Sequence, residues 1–160
     1  MLFDSDPKKP AQEVVFSRKK QLQSHPMISL NNVHVEKTSQ QKHLGIILDE
    51  KLNFKQHVDN AILKINKGIS VIKKLCHTLP RKSLLTILYK AFLRPLIDYG
   101  DIIYDQPNNE SFCEKLESVQ YKAALAITGA IQGSSREKIY QELGLESLKN
   151  RRCYKRLLSV

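Results

Sequence analysis

The chain has no tryptophan, and its 160 residues include only six glycines, six prolines and three cysteines. Without tryptophan, the aromatic candidates for base stacking are chiefly the six tyrosines, 89, 99, 104, 121, 140 and 154. At helical spacing those read first as packing at the edge of a core. No glycine-rich phosphate loop is present, and no G-x-G-x-x-G. Cys76, Cys113 and Cys153 are odd in number and widely spaced. That excludes a disulfide scaffold and fits a reducing compartment. No long apolar run occurs either. Leu84 to Ile97 is interrupted by Lys90, Arg94 and Pro95 and is too short to span a bilayer. Asp4 and Asp6 stand where a signal peptide would be basic and then apolar. The expectation is an intracellular protein, nuclear or cytoplasmic, not secreted and without a membrane partner.

Acid is also scarce, with 16 Asp and Glu against 26 Lys and Arg, so the net charge is +10. A pI near 9.6 points to a polyanionic partner. Hydrophobic residues at 41% and charged residues at 26% are a globular composition, enough for about one core. No internal repeat or low-complexity tract is present.

The most regular stretch runs from Asn53 to Leu79. Val58, Ile62, Ile65, Ile69, Ile72, Cys76 and Leu79 follow steps of 4 and 3 in strict alternation. This keeps them on one face of an α-helix roughly 37 Å long. Its other face is basic. Lys51, Lys55, Lys64, Lys67, Lys73, Lys74, Arg81 and Lys82 stand against Asp59 alone, so most of the chain's excess charge is concentrated here. A solvated lysine face and a helix lying along a polyanion both fit this pattern.

Before that helix the signals are short strands: Glu13 to Ser17, a hairpin of Ile28–Leu30 with Val33–Val35 around Asn31-Asn32, and Leu44 to Asp49. After it, further helices are predicted. One starts at Pro80, buries Leu84, Leu88, Ala91 and Phe92, and is ended or kinked by Pro95. Another follows an Asn109 cap, with Phe112, Leu116, Val119, Ala123 and Ile127 inward, and stops at Gly129. Ser134 and Glu137 suggest a capping box for a short helix ending at Gly144. The last begins at Leu148 and carries Lys149, Arg151, Arg152, Lys155 and Arg156 without an acid, a second basic surface. The fold class is therefore α+β, with short antiparallel strands or a hairpin over about 13–48 and a mainly helical bundle over about 54–158. The division into domains falls at 1–50 and 51–160.

Catalytic constellations are weak. No Cys/His spacing suits zinc, and the five histidines fall in different elements. Asp98, Asp101 and Asp105 are spaced three and four apart, but two-metal chemistry needs carboxylates converging from a strand setting. They are expected to cap, bond locally or stay solvated. The residues thus suggest no catalytic and no metal-binding group.

Gln41-Lys42-His43-Leu44-Gly45-Ile46-Ile47-Leu48-Asp49 resembles the Lys-x-Leu-Gly-x-x-x-Asp segment of reverse transcriptases from non-LTR (LINE-like, jockey-type) retrotransposons. Leu52-Asn53-Phe54 with His57-Val58 is similar to the step into that family's thumb helix. Leu79-Pro80-Arg81, Arg94-Pro95, Asp98-Tyr99-Gly100, Leu116 to Gln120, Thr128-Gly129 and Leu143-Gly144-Leu145 continue the likeness in order. Pro7 to Ser17 is similar to the last palm strand, with Lys9-Pro10 where the family has Lys-Thr. The resemblance implies the C-terminal part of an RNA-directed DNA polymerase. Residues 1–50 would be palm edge and primer grip, and 51–160 a thumb-like helical bundle.

The family's catalysis rests on an Asp-Asp hairpin and Mg²⁺, and this chain contains no Asp-Asp pair. The resemblance therefore implies a non-catalytic piece with no cofactor of its own. It would bind RNA and RNA–DNA hybrid by the backbone, without sequence preference, through Lys42, His43, Gly45, Lys51, Lys55, Lys64, Lys67, Lys74, Arg81 and Lys82. The remainder of the polymerase is the implied protein partner. A helical interaction module, using the 58–79 seam against a partner helix, is the alternative.

Overall fold

A computed structural model describes residues 11–19, 26–30, 33–78 and 82–158. It comprises two compact units, Met1–His57 and Val58–Val160. Short strands in small sheets precede the helices, which is the α+β class expected. No described helix is long and apolar enough to cross a membrane.

In the first unit, β1 (Gln12–Glu13) pairs in parallel with β4 (Glu36–Lys37). β2 (Ser29–Leu30) and β3 (Val33–His34) form the expected antiparallel hairpin, with Leu30 opposite Val33. Its tip, Asn31-Asn32, lies outside the described residues. The strand predicted over Glu13 to Ser17 ends at Glu13, and the Ser17 N–H donates instead to the Glu50 carbonyl at 2.9 Å.

β5 (Gln40–His43) and β6 (Ile46–Asp49) are antiparallel, with Lys42 opposite Ile47 and His43 opposite Ile46. The predicted strand from Leu44 is therefore shorter. Leu44 (φ 45°) and Gly45 (φ 84°) are the two-residue turn between these strands. Positive φ at both positions matches the right-handed twist of a tight hairpin. The partner strand β5 has no apolar alternation, so periodicity could not reveal it.

The second unit is helical. α1 (Lys55–Thr78), whose first turn crosses the division between units, buries Val58, Ile65, Ile69 and Ile72. Ile62 and Cys76 are half-buried, and Leu79 and Pro80 lie outside the described residues. The seam is thus covered within the chain, leaving little of it for a partner helix.

α2 (Lys82–Leu88) runs into a π-helical turn (Tyr89–Leu93) and then α3 (Pro95–Asp98). The Arg94 N–H donates to the Tyr89 carbonyl at 3.0 Å, an i to i+5 bond. The cause is Pro95, which has no N–H to offer and whose ring would collide with the carbonyl four residues back. The wide turn absorbs it without ending the helix. The buried face also differs from the predicted one. Leu85, Thr86, Tyr89 and Leu93 are buried, whereas the predicted Leu84, Ala91 and Phe92 are exposed and Leu88 is half-buried. Leu85, Tyr89 and Leu93 recur every four residues, as good an alternation as the predicted one, so spacing alone could not choose.

α4 (Asp101–Tyr104), α5 (Glu110–Thr128), α6 (Arg136–Leu143) and α7 (Leu148–Leu158) complete the unit. Asn109 caps α5, its side-chain oxygen accepting from the Phe112 N–H at 3.1 Å. Gly129 and Gly144 end α5 and α6 at φ 72° and 56°. The cap of α6 is Ser135, one residue later than predicted, because the Ser134 hydroxyl bonds back to the Ile131 carbonyl at 2.7 Å.

α5 packs against α2, α6 and α7. Within this core the Tyr89 hydroxyl donates to Gln120 Oε1 at 3.0 Å, and Gln120 Nε2 donates to the Glu146 carbonyl at 2.8 Å. Glu117 Oε2 accepts from the Leu148 N–H at 2.9 Å, which satisfies a free donor at the start of α7.

Two predictions follow from this packing. A Cβ on Gly68 of α1 would collide with the Leu93 side chain. Gly68→Ala gains roughly 1 kcal/mol of helix propensity but loses about 1–3 kcal/mol to overpacking. In a Leu93→Ala background the clash disappears. There the same change is expected to be stabilising, with a coupling of at least about 1 kcal/mol in a double-mutant urea cycle.

The second concerns pH. Burial pushes the Tyr89, Tyr104 and Tyr140 phenols well above their ordinary range, and for Tyr140 a hydrogen bond with Glu117 adds to this. The folded state then holds these protons more tightly than the unfolded chain. The stability they contribute is present below pH about 10 and is lost as pH rises further. The urea midpoint should fall steeply above pH 10, and Tyr104→Phe should flatten that slope by up to about 1.4 kcal/mol per pH unit.

Candidate nucleic-acid interface

Candidate residues occur in both units. In the first, Lys42 and His43 are exposed on β5, Gly45 is exposed in the turn, and Lys51 is exposed just after β6. What positions this group is Asp49. Its Oδ1 accepts from the N–H groups of Lys51 and Asn53, each at 3.1 Å, and its Oδ2 from that of Phe54 at 2.8 Å. These bonds hold a bend in which Leu52 and Phe54 have φ of 53° and 55°, a costly region for side-chain-bearing residues. The Ile47 N–H donates to His57 Nδ1 at 3.4 Å, tying β6 to the first turn of α1. Gly45 serves the local hairpin turn, so its φ is explained without a closely approaching backbone.

Along α1, Lys55, Lys64, Lys67, Lys73 and Lys74 are exposed and form no ion pair among the described residues. At 100° per residue, Lys64, Lys67 and Lys74 fall on the side opposite the buried seam, and Lys55 and Lys73 flank that seam. Leu63 and Val71, also exposed, stand among the outer lysines. Asp59, the one acid of α1, is engaged by Lys115 of α5. Lys82 is bound to Glu142 at 2.7 Å, so its charge is already matched. Arg81 lies outside the described residues.

The C-terminal helix differs from its sequence reading. Arg151 Nη2 lies 3.0 Å from Asp98 Oδ2, and Lys155 Nζ lies 3.1 Å from Asp101 Oδ2. Arg152 Nη1 and Arg156 Nη2 reach the two oxygens of Asp105 at 2.9 and 2.7 Å. Arg152 also lies over the Tyr104 ring, 5.9 Å from its centroid. The predicted second basic surface is therefore largely neutralised. Asp98 does bond locally, to Arg94 at 3.8 Å, but all three aspartates, expected to cap, bond locally or stay solvated, also hold cations about fifty residues away. Each carboxylate faces a guanidinium or ammonium group, an arrangement unlike a shared metal site. Sequence signals for this existed: the aspartates and the basic residues of α7 both recur at three and four. Nothing local says that they meet.

Over 107 residues, 65% of the chain, the sequence is 30% identical to a protein from Drosophila melanogaster described as a probable RNA-directed DNA polymerase from transposon X-element. The chain spans 12% of the length of that relative. The similarity supports a reverse-transcriptase-related origin. No family model matches the chain, and no solved structure does.

The contrast between the two basic helices is measurable. Arg152 and Asp105 side chains are only 4% and 6% exposed. Arg152→Ala leaves a buried carboxylate with one partner fewer and should cost about 3 kcal/mol in urea unfolding. Lys64→Ala, the removal of an equal charge from the outer face of α1, should change stability by less than about 0.5 kcal/mol.

Proposed function

We propose that the chain is the C-terminal portion of a non-LTR retrotransposon reverse transcriptase, with residues 1–50 derived from the palm edge and primer grip and 51–160 from the thumb. It carries no polymerase catalysis and no cofactor of its own. Its retained role is sequence-independent binding to the backbone of RNA or RNA–DNA hybrid. The observation that carries this reading is the charge distribution of the second unit. The arginines and lysine of α7's inner face are occupied by aspartates, whereas the outer lysines of α1 are exposed without ion pairs among the described residues. From Lys64 to Lys74, α1 advances roughly 15 Å, which faces about four phosphates of one strand at about 3.4 Å each. Lysine heads at this density act by neutralising phosphates and releasing counterions. They do not read bases.

Exposed Lys42, His43 and Lys51 of the first unit are the second candidate group, with Lys55 at the start of α1. The likeness to a transposon polymerase supports a nucleic acid over another polyanion. The alternative helical module is disfavoured by the burial of Val58, Ile65, Ile69 and Ile72.

Fluorescence anisotropy with an RNA–DNA hybrid tests the proposal. With about five phosphates contacted, log Kd against log salt should have a slope of about 3.5 to 4.5 in magnitude, and several hybrid sequences should bind alike. The triple variant Lys64→Glu, Lys67→Glu, Lys74→Glu should reduce affinity at least tenfold and flatten that slope. Unchanged binding by a folded triple variant would remove the lysine face from the account.

A further inference from the structure

Arg152 is buried with most of its hydrogen-bonding capacity unspent. Its side chain is 4% exposed. Nη1 donates to Asp105 Oδ1 at 2.9 Å, and the guanidinium lies over the Tyr104 ring. Nε and Nη2 are also buried, and they have no hydrogen-bond partner among the described residues. These two nitrogens form one edge of the guanidinium, whose parallel N–H groups match the two oxygens of a carboxylate. Buried donors of a cation are costly to leave unmatched, so such an edge calls for a partner.

Arg152 lines a small cavity of about 10 Å³, room for a group about the size of one water. Its charge is unbalanced. Lys149, Arg152 and Arg156 line it with one carboxylate, that of Asp105. Pro107, Cys113 and Lys149 also line a second cavity of about 600 Å³, among the first turns of α5, α6 and α7. That size is usual for a small-molecule site. There the balance is reversed, with Glu110, Glu114, Glu117 and Glu137 against Arg136 and Lys149.

We propose that these adjoining cavities take a small monocarboxylate. Its carboxylate lies on the Nε–Nη2 edge of Arg152 beside Lys149, and a neutral or cationic body occupies the larger cavity. Lys149 is exposed and belongs to both walls, so it is the side chain that moves aside to admit the ligand and then pairs with it. The narrow inner space suits a flat carboxylate entering edge-on better than a four-oxygen phosphate. The glutamates of the larger cavity repel a second negative charge, which selects against dicarboxylates. Cys113, half-buried and common to both walls, is placed to report occupancy.

Fluorine NMR of para-fluorobenzoate with the full chain, at about 0.15 M salt, tests this. A Kd of about 1 mM is expected. The uncharged para-fluorobenzamide should bind at least tenfold more weakly. As a competitor, para-(aminomethyl)benzoate should be at least tenfold more effective than terephthalate or inorganic phosphate. Lys149→Ala should weaken binding at least threefold with the urea midpoint unchanged. Arg152→Lys keeps the charge but removes the edge, and should weaken it at least tenfold. Bound para-fluorobenzoate should slow alkylation of Cys113 by iodoacetamide and leave exposed Cys153 unaffected. The Lys64→Glu, Lys67→Glu, Lys74→Glu variant should bind it undiminished, which separates this site from the lysine face of α1. No binding at about 10 mM overturns the proposal, as does binding indifferent to Lys149→Ala or lost with the α1 lysines. Phosphate as the better competitor, or an amide that binds equally well, overturns the carboxylate assignment. Should Arg152→Lys fail to fold, Lys149→Ala and the protection of Cys113 decide the matter.

Discussion

The second unit depends on an ionic contact between segments about fifty residues apart. Asp98, Asp101 and Asp105 grip Arg151, Arg152, Lys155 and Arg156, and the Arg152–Asp105 pair is almost fully buried. Burying charge is costly, and an apolar contact of equal volume is often as stable. What the ionic contact adds is direction. An apolar stripe on α7 could have docked inward as readily, and the aspartates accept only the charged one. Glu117, which bonds the Leu148 N–H, and Gln120, which bonds the Glu146 carbonyl, anchor the start of the same helix.

This contact redistributes the charge of the whole chain. The residue count suggests two basic surfaces, and the fold largely neutralises one. Positive charge in the second unit is left most open on α1, where Lys115 has also drawn Asp59 to itself. The nucleic-acid reading rests on that redistribution as much as on the number of lysines. The same contact leaves Cys153, Tyr154, Leu157 and Leu158 to solvent, so the basic surface and the apolar one have a common origin.

In the first unit the constraints are local. Leu44-Gly45 turns β5 into β6, and Asp49 holds the bend that leads to α1. The Lys-x-Leu-Gly-x-x-x-Asp pattern thus has a conformational meaning here. Its glycine takes a positive φ, and its aspartate satisfies three consecutive-region N–H groups that would otherwise be left to solvent.

Much was legible from sequence because it is short-range. The strict 4,3 steps from Val58 to Cys76 and the Asn109 cap, like the stops at Gly129 and Gly144, depend on neighbours within a turn or two. So did the order of short strands followed by helices. Three features were decided only in three dimensions. The phase of the buried face from Leu85 to Leu93 was chosen by packing, since the spacing fits either phase and Leu84 and Leu85 both precede the wide turn. β5 formed because β6 offered it a ladder, with no apolar alternation of its own. And α7 docked by its cations because three aspartates happened to face it. Periodicity says that a helix has two faces, but which one turns inward depends on the chemistry of the surface it meets.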